Sequence, residues 1–285
     1  MAYKHMRSSI TLSLALLLGG ALPPSVLAAD PPAAPPAAAA VAEDDATLQL
    51  AEPDFRVINL PTTLRLPAGK GSFQITHRFG GNFRGQSFSE QASRLFGIDD
   101  GAAVGFEYRM GVMPHVEAII YRTVIDRTIQ MYGKVDAVHQ RAGTPVSLSA
   151  VVSVEGVNNF QERYAPAVGV SVSRMLGDVA AVYVVPTWVH NTGAALGVDD
   201  NTAFVGIGAR VRIHGTTYVS VEGSPRVSGF APGVRQYGFA IEKRAGGHMF
   251  QLNFTNGAGT TLAQIARGGQ PKNLAMGFNL ARKFF

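Results

Sequence analysis

Ten charged residues share a spacing that could do chemistry. Glu107, Arg109, Glu117, Lys134, Asp136, Arg210, Arg212, Glu222, Glu242 and Arg244 fall on the polar or small parity of segments whose other parity is apolar. Glu107 stands two residues from Arg109, and Glu242 two from Arg244, so in an extended chain each pair shares a face. Two chemistries fit such rows: ion-pair ladders that fill an interior, or a charged constriction that selects solutes by sign and size. The mixed signs fit ladders slightly better than a filter of one sign. Histidine offers less. His77, His115, His139, His190, His214 and His248 show no helical metal-ligand spacing and no accompanying carboxylate cluster, so no metal site is expected. His77 shares the parity of Phe73, Ile75 and Phe79, so a Ser–His lipid hydrolase on an outer face is the enzymatic alternative. Asn256-Gly257-Ala258-Gly259 lacks the Lys-Ser/Thr of a phosphate cradle, and no helix is expected after it. No catalytic residue and no cofactor is expected, and an enzyme is the less favoured reading.

Extended segments must position these residues. Phe73, Ile75 and Phe79 alternate with Ser72, Gln74, Thr76 and Arg78; Val205, Ile207, Ala209, Val211 and Ile213 alternate with Gly206, Gly208, Arg210 and Arg212. Residues 146–155, 236–242 and 250–255 repeat the pattern. Each segment therefore has one apolar and one polar-or-small face. Segments run about nine to twelve residues, the length a tilted strand needs to cross a bilayer. Short connections (near 111–114, 141–145, 176–178, 214–216 and 245–247) alternate with long ones (80–101, 155–163, 191–201, 223–234 and 256–273), and only residues 124–127 make a shorter loop that breaks the pattern. A membrane barrel sorts its turns in this way and a sandwich has no reason to. About thirteen candidate strands can be counted, whereas bacterial barrels take an even number. Leaving out residues 57–66, where Pro61 donates no ladder hydrogen bond, gives about twelve with both ends on one side. Residues 54–71 are then a pre-barrel segment that caps the mouth or lies in the lumen. Ala103, Gly105, Ala165, Ala167, Gly169, Ser171, Gly206, Gly208 and Gly238 make much of the inward face small, which leaves room for a narrow channel or eases curvature. Tyr164, Trp188, Tyr237 and Phe284 are candidates for interfacial girdles, and Tyr121 and Tyr218 share the inward parity.

Composition agrees with a lipid-facing surface. Only 16% of the 285 residues are charged, against about a quarter in soluble domains. Beyond the N-terminal region there is no run of about twenty apolar residues, so helical spans are not expected. Lys4 and Arg7, the apolar stretch Ile10–Leu18 and Val26-Leu27-Ala28 read as a cleavable signal peptide over residues 1–28. Residues 29–53 are rich in Pro and Ala and carry Asp30, Glu43, Asp44, Asp45 and Glu52, and read as a disordered acidic tail. With no cysteine there are no disulfides, thiolate metal sites or lipoprotein anchor. The positive charges are scattered, with no basic run for nucleic acid.

The stretch Leu60-Pro61-Thr62, Leu66-Pro67-Ala68-Gly69-Lys70-Gly71, His77-Arg78-Phe79-Gly80 and Leu95-Phe96-Gly97-Ile98-Asp99-Asp100-Gly101-Ala102 resembles a family of bacterial outer-membrane β-barrels of unknown function, from about residue 59 to the end. The resemblance implies fold and location and carries no chemistry. Phe284-Phe285 at the end of an amphipathic stretch also resembles the signal read by the barrel-assembly machinery, although Arg282 interrupts its apolar parity. The expected fold is thus an all-β, antiparallel, up-and-down transmembrane barrel over residues 72–285. The expected location is the outer membrane of a Gram-negative bacterium, with the N-terminal tail in the periplasm. The expected function is a narrow pore for small polar solutes, with a structural or docking barrel as the alternative. Expected partners are outer-membrane lipid, the assembly machinery and small solutes, and the expected state is a monomer.

Overall fold

The period of two builds a single closed sheet. The computed structural model describes residues 49–193, 196–197, 200–230 and 233–284; the expected signal peptide and the tail up to residue 48 lie outside them. The strands are β1 (Gly71–Phe79), β2 (Ala102–Met113), β3 (Val116–Thr123), β4 (Ile129–Val138), β5 (Ser147–Gly156), β6 (Glu162–Leu176), β7 (Ala180–Val189), β8 (Thr202–His214) and β9 (Thr217–Ser224). They continue with a short β10 (Arg226–Gly229), then β11 (Gln236–Ala245), β12 (His248–Thr255) and β13 (Ala275–Phe284). Every pairing is antiparallel. β1 bonds to β2 on one side and to β13 on the other, and β9 joins β8 to β11, so twelve strands close a ring. β10 adds only a brief pairing to β8 beyond the end of β9. Closure leaves no edge, as a hydrocarbon environment requires.

The alternation decides which face meets what. Val152 is 59% exposed and Ile207 53% exposed on the outside of the ring, where a second sheet of a sandwich would have buried them. Phe106, Ile120, Val184, Ile241 and Phe250 share that outer face. Trp188 and Tyr164 lie toward the end with the long loops and Phe284 at the opposite rim, all exposed outward. The register shifts at Gly111/Met113, Asp136/Val138 and Arg212/His214 all fall at the short-turn rim, where bulges turn the strands over the barrel edge.

The pre-barrel segment lies inside the lumen. It enters from the short-turn end, folds back as a hairpin and leaves by the same end into β1. Val57 N donates to Leu60 O (2.9 Å) and Thr62 N to Phe55 O (3.0 Å), so residues 57–60 form its tip. Val57, Ile58 and Leu60 are wholly buried. Ala51, Glu52 and Pro53 are buried too, which corrects the expected boundary: the tail ends before residue 53, because its last residues pack against the barrel wall. From the opposite end the last long loop sends in a helix, α1 (Leu262–Arg267), capped by Thr261 and Gln264. This corrects the expectation that no helix follows Asn256–Gly259. Its Leu262, Ala263, Ile265 and Ala266 join Val57, Leu60, Tyr183, Val185 and Phe204 in one buried apolar cluster.

The small inward residues acquire their reason here. A Cβ on Gly206 would stand 2.6 Å from Leu60 Cδ2; on Gly208, 3.3 Å from Val57 Cγ2; on Gly238, 3.3 Å from Ile58 Cδ1. The room they leave is occupied by the tip of the hairpin, not by a channel.

Candidate functional site

All ten charged residues singled out from the sequence point inward, and the structure sorts them into two networks, one solitary anchor and a rim. The first network runs across β2, β3 and β4. Arg109 Nη2 donates to Glu107 Oε1 at 3.0 Å and its Nη1 to Glu117 Oε2 at 2.5 Å. Lys134 Nζ stands 3.0 Å from Glu117 Oε1 and 3.4 Å from Asp136 Oδ1. Arg56 of the hairpin completes it, donating from Nε to Glu107 Oε2 at 2.9 Å, with a second bond from Nη2. The second network joins Arg210 Nε to Glu242 Oε2 at 2.7 Å, and Glu242 also accepts from Ser220 and Gln251. Arg212 pairs with Asp178 at the short-turn rim, where Arg244 is half-buried.

Glu222 belongs to neither network. Its carboxylate accepts from three consecutive backbone amides of the tip, Ile58 N (2.9 Å), Asn59 N (2.9 Å) and Leu60 N (3.1 Å), and from Asn59 Nδ2 (2.8 Å). The tip carbonyls are met as completely. Arg210 Nη2 donates to Arg56 O (2.7 Å), Gln251 Nε2 to Val57 O (2.6 Å), Asn279 Nδ2 to Ile58 O (2.9 Å) and Arg56 Nη1 to Asn59 O (2.9 Å). Buried backbone groups left unmet would each cost as much as a lost hydrogen bond, so the wall is chemically complementary to the hairpin backbone. Further down, Ser171 Oγ donates to Pro61 O (3.1 Å), Glu117 accepts from Leu66 N (3.0 Å), Lys134 donates to Leu64 O and Lys283 to Pro53 O.

Between the hairpin and α1 the packing is close. Thr260, just before the helix, accepts from Arg56 through its carbonyl (3.2 Å) and shares a 2.7 Å hydroxyl contact with Tyr121. A cavity of about 10 Å³ remains between Arg56, Pro61, Gln130, Tyr132 and Leu262, room for about one water. At the short-turn mouth a cavity of about 340 Å³ opens beside the hairpin, lined by Glu52, Thr63, Leu66, Pro114 and His115. Burial pushes the Glu52 carboxyl up to about 7, against the opposing pull of Lys134 and of the Thr63 hydrogen bonds.

Sequence reasoning missed Arg56, Asn59, Arg78, Gln251 and Asn279. Arg78 was legible, since it continues the inward parity of Ser72, Gln74 and Thr76; its Nη2 donates to Asn59 Oδ1 at 2.8 Å. His77 lies on the outer face, its ring 4.9 Å from that of Phe278 and 4.4 Å from that of Phe79. Its cross-strand partners are Phe278 and Val104, neither of which carries a hydroxyl for a Ser–His pair.

No curated protein matches the chain. Among solved structures, the COG4313 outer membrane channel from Pseudomonas putida F1 is similar at a TM-score of 0.51 and 10% identity, over 77% of this chain and 97% of that one. The NanC porin is similar at 0.48 and 7% identity (75% and 99% covered), and the KdgM porin at 0.47 and 6% (75% and 98%). At such identities the first likeness concerns the fold alone. Residues 53–284 match a family model, a range that takes in the hairpin as well as every strand. The chain therefore belongs to DUF5777, the family described as a membrane-bound beta barrel domain.

Proposed function

We propose that the protein is an outer-membrane channel held here in its plugged form, and that small polar solutes pass once the hairpin withdraws from the lumen. The carrying observation is the chemistry of the wall beneath the plug. Arg78, Arg109, Lys134, Arg210, Glu107 and Glu242 are all but fully buried. Replacing buried ion pairs by well-packed apolar residues is often neutral or stabilising by about 1–4 kcal/mol. A lumen filled for good therefore gains little from charges, whereas one that meets water and solute in another state needs them. The hairpin is moreover held largely through its backbone, by groups that water can replace on its release. In this reading the barrel works as a monomer, reaches the membrane through the barrel-assembly machinery and keeps its short turns toward the periplasm, where the preceding chain begins.

Single-channel recording in planar bilayers tests this. The full chain should be closed with rare openings, and a Glu222→Gln variant should open for much longer. Silence from that variant and from a chain lacking residues 52–66, both shown to be inserted, would refute the pore. A structural or docking barrel is the second reading, favoured by the near-complete filling between hairpin and α1. It predicts that silence, together with loss of a co-purifying partner when the segment before the hairpin is deleted.

A further inference from the structure

The outer rim at the long-loop end carries a basic groove that neither the plug nor the pore reading uses. It encloses about 530 Å³ and is lined by Arg84, Arg226, Arg235, Tyr237 and Lys272, with no carboxylate among its described lining residues. Arg84 Nη2 donates to the Tyr237 hydroxyl at 2.7 Å, and its guanidinium lies 5.9 Å from the Tyr237 ring centroid. Arg235 and Lys272 are exposed. Arg226 is committed to the scaffold, donating to the carbonyls of Ala266 (3.3 Å), Arg267 (2.8 Å) and Gly233 (2.8 Å). The backbone that presents the other cations is also tied down: Asn82 bonds to Lys272 O (3.1 Å) and Leu274 N (3.0 Å), and Phe83 N to Leu274 O (2.7 Å). Arg84, Arg235 and Lys272 are thus gathered on anchored backbone, with no carboxylate beside them among the described residues of the groove.

The position of the groove identifies its occupant. Tyr237 has the outward parity of Phe239 and Ile241 on β11. Directly beneath the cations, Phe239 stacks on Phe254 at 5.2 Å and Phe83 meets Phe254 edge-on at 5.5 Å, so the groove runs into the lipid-facing surface. From Arg235 to Lys243, the next outward cation on β11, the path is about 26 Å along the strand, or about 20 Å of height at the usual tilt. The apolar band of such barrels is about 25 Å tall. The two positions thus lie about 5 Å closer together than the band is tall, so each sits just inside one border, and the long Arg235 side chain reaches the headgroup level.

We propose that this groove binds the phosphate of a membrane lipid headgroup, with Arg84, Arg235 and Lys272 on the phosphate oxygens and the acyl chains running down over Phe254, Phe239 and Leu252. Arginine forks suit phosphate geometry, and the aromatic floor suits acyl chains as water would not. The site stands whether or not the lumen opens.

Native mass spectrometry of the full chain in detergent micelles tests it, with diphosphoryl lipid A, its dephosphorylated counterpart and glucose 1-phosphate as probes. Diphosphoryl lipid A should be retained and the other two should not. At about fivefold per cation near a charged lipid surface, the R235Q/K272Q double variant should bind about 25-fold more weakly, while K243Q at the opposite rim should match the parent. Both substituted side chains are exposed, and heat-modifiable gel mobility confirms that the barrels are folded. Equal retention of the dephosphorylated lipid would reduce the groove to a greasy contact and overturn the proposal. Effective competition by glucose 1-phosphate would make it a soluble-anion site and overturn the lipid assignment. Parent-like binding by the double variant would refute it outright.

Discussion

Replacing Glu222 by Gln is the sharpest perturbation of the plug. The carboxylate now accepts four hydrogen bonds, from Ile58 N, Asn59 N, Leu60 N and Asn59 Nδ2, at 2.8–3.1 Å. Glutamine keeps one accepting oxygen and turns an NH2 group toward donors, so at least two of these bonds are lost. Hydrogen bonds to a charged partner are each worth about 1.5–3 kcal/mol, which puts the loss at about 3–6 kcal/mol. At about 1.4 kcal/mol per decade, the hairpin should undock at least about a hundred times more often. Glu222 sits on β9, whose ladder to β8 and β11 is made by backbone, so the barrel itself should persist. Hydrogen–deuterium exchange of a peptide spanning residues 55–62 reads the effect directly, because the amides concerned are the ones that exchange. Protection should fall by two decades or more while strand peptides stay protected. A fall of less than about tenfold, with the barrel intact, would show that the amide cluster does not hold the plug and would refute the reasoning.

Three further outcomes follow from the same contacts. Gly206→Val places a Cβ 2.6 Å from Leu60 Cδ2 and should cost about 1–3 kcal/mol by overpacking, read as a lower denaturant midpoint and faster exchange of the same peptide; an unchanged midpoint counts against the close fit. Glu52, pushed up from 4.5 to about 7 by burial, holds its proton more tightly docked than free, so docking is strongest below about pH 4.5 and weakens as pH rises toward 7. The loss approaches about 3 kcal/mol; exchange corrected for its intrinsic pH dependence should show it in the parent and not in Glu52→Gln, and a plug that tightens with rising pH would contradict it. Val152→Arg puts a cation on the outer face and should cost about 2–4 kcal/mol in vesicles, measured by urea unfolding against the parent; no cost would mean that this face does not meet lipid.

The sequence by itself determined the barrel. A period of two is a local property, and it assigns each residue of a strand to one of two faces with no knowledge of its neighbours. That is why Val152 and Ile207 could be placed outside and Glu107, Arg109 and Arg210 inside, and why the sorting of short and long connections led to about twelve strands. Pro61 marked residues 57–66 as something other than a ladder strand, and the Thr261–Gln264 spacing was a readable capping box that went unread among the glycines of its loop. The tertiary structure alone decided what fills the lumen and which charges pair. Glu222 meets the tip of the hairpin across 162 to 164 residues of chain, and Arg56 meets Glu107 across 51. Such partners become neighbours only once the ring has closed and fixed the diameter of its interior. No local pattern carries that distance, so a polar inward face reads the same in sequence whether it lines water or grips a plug.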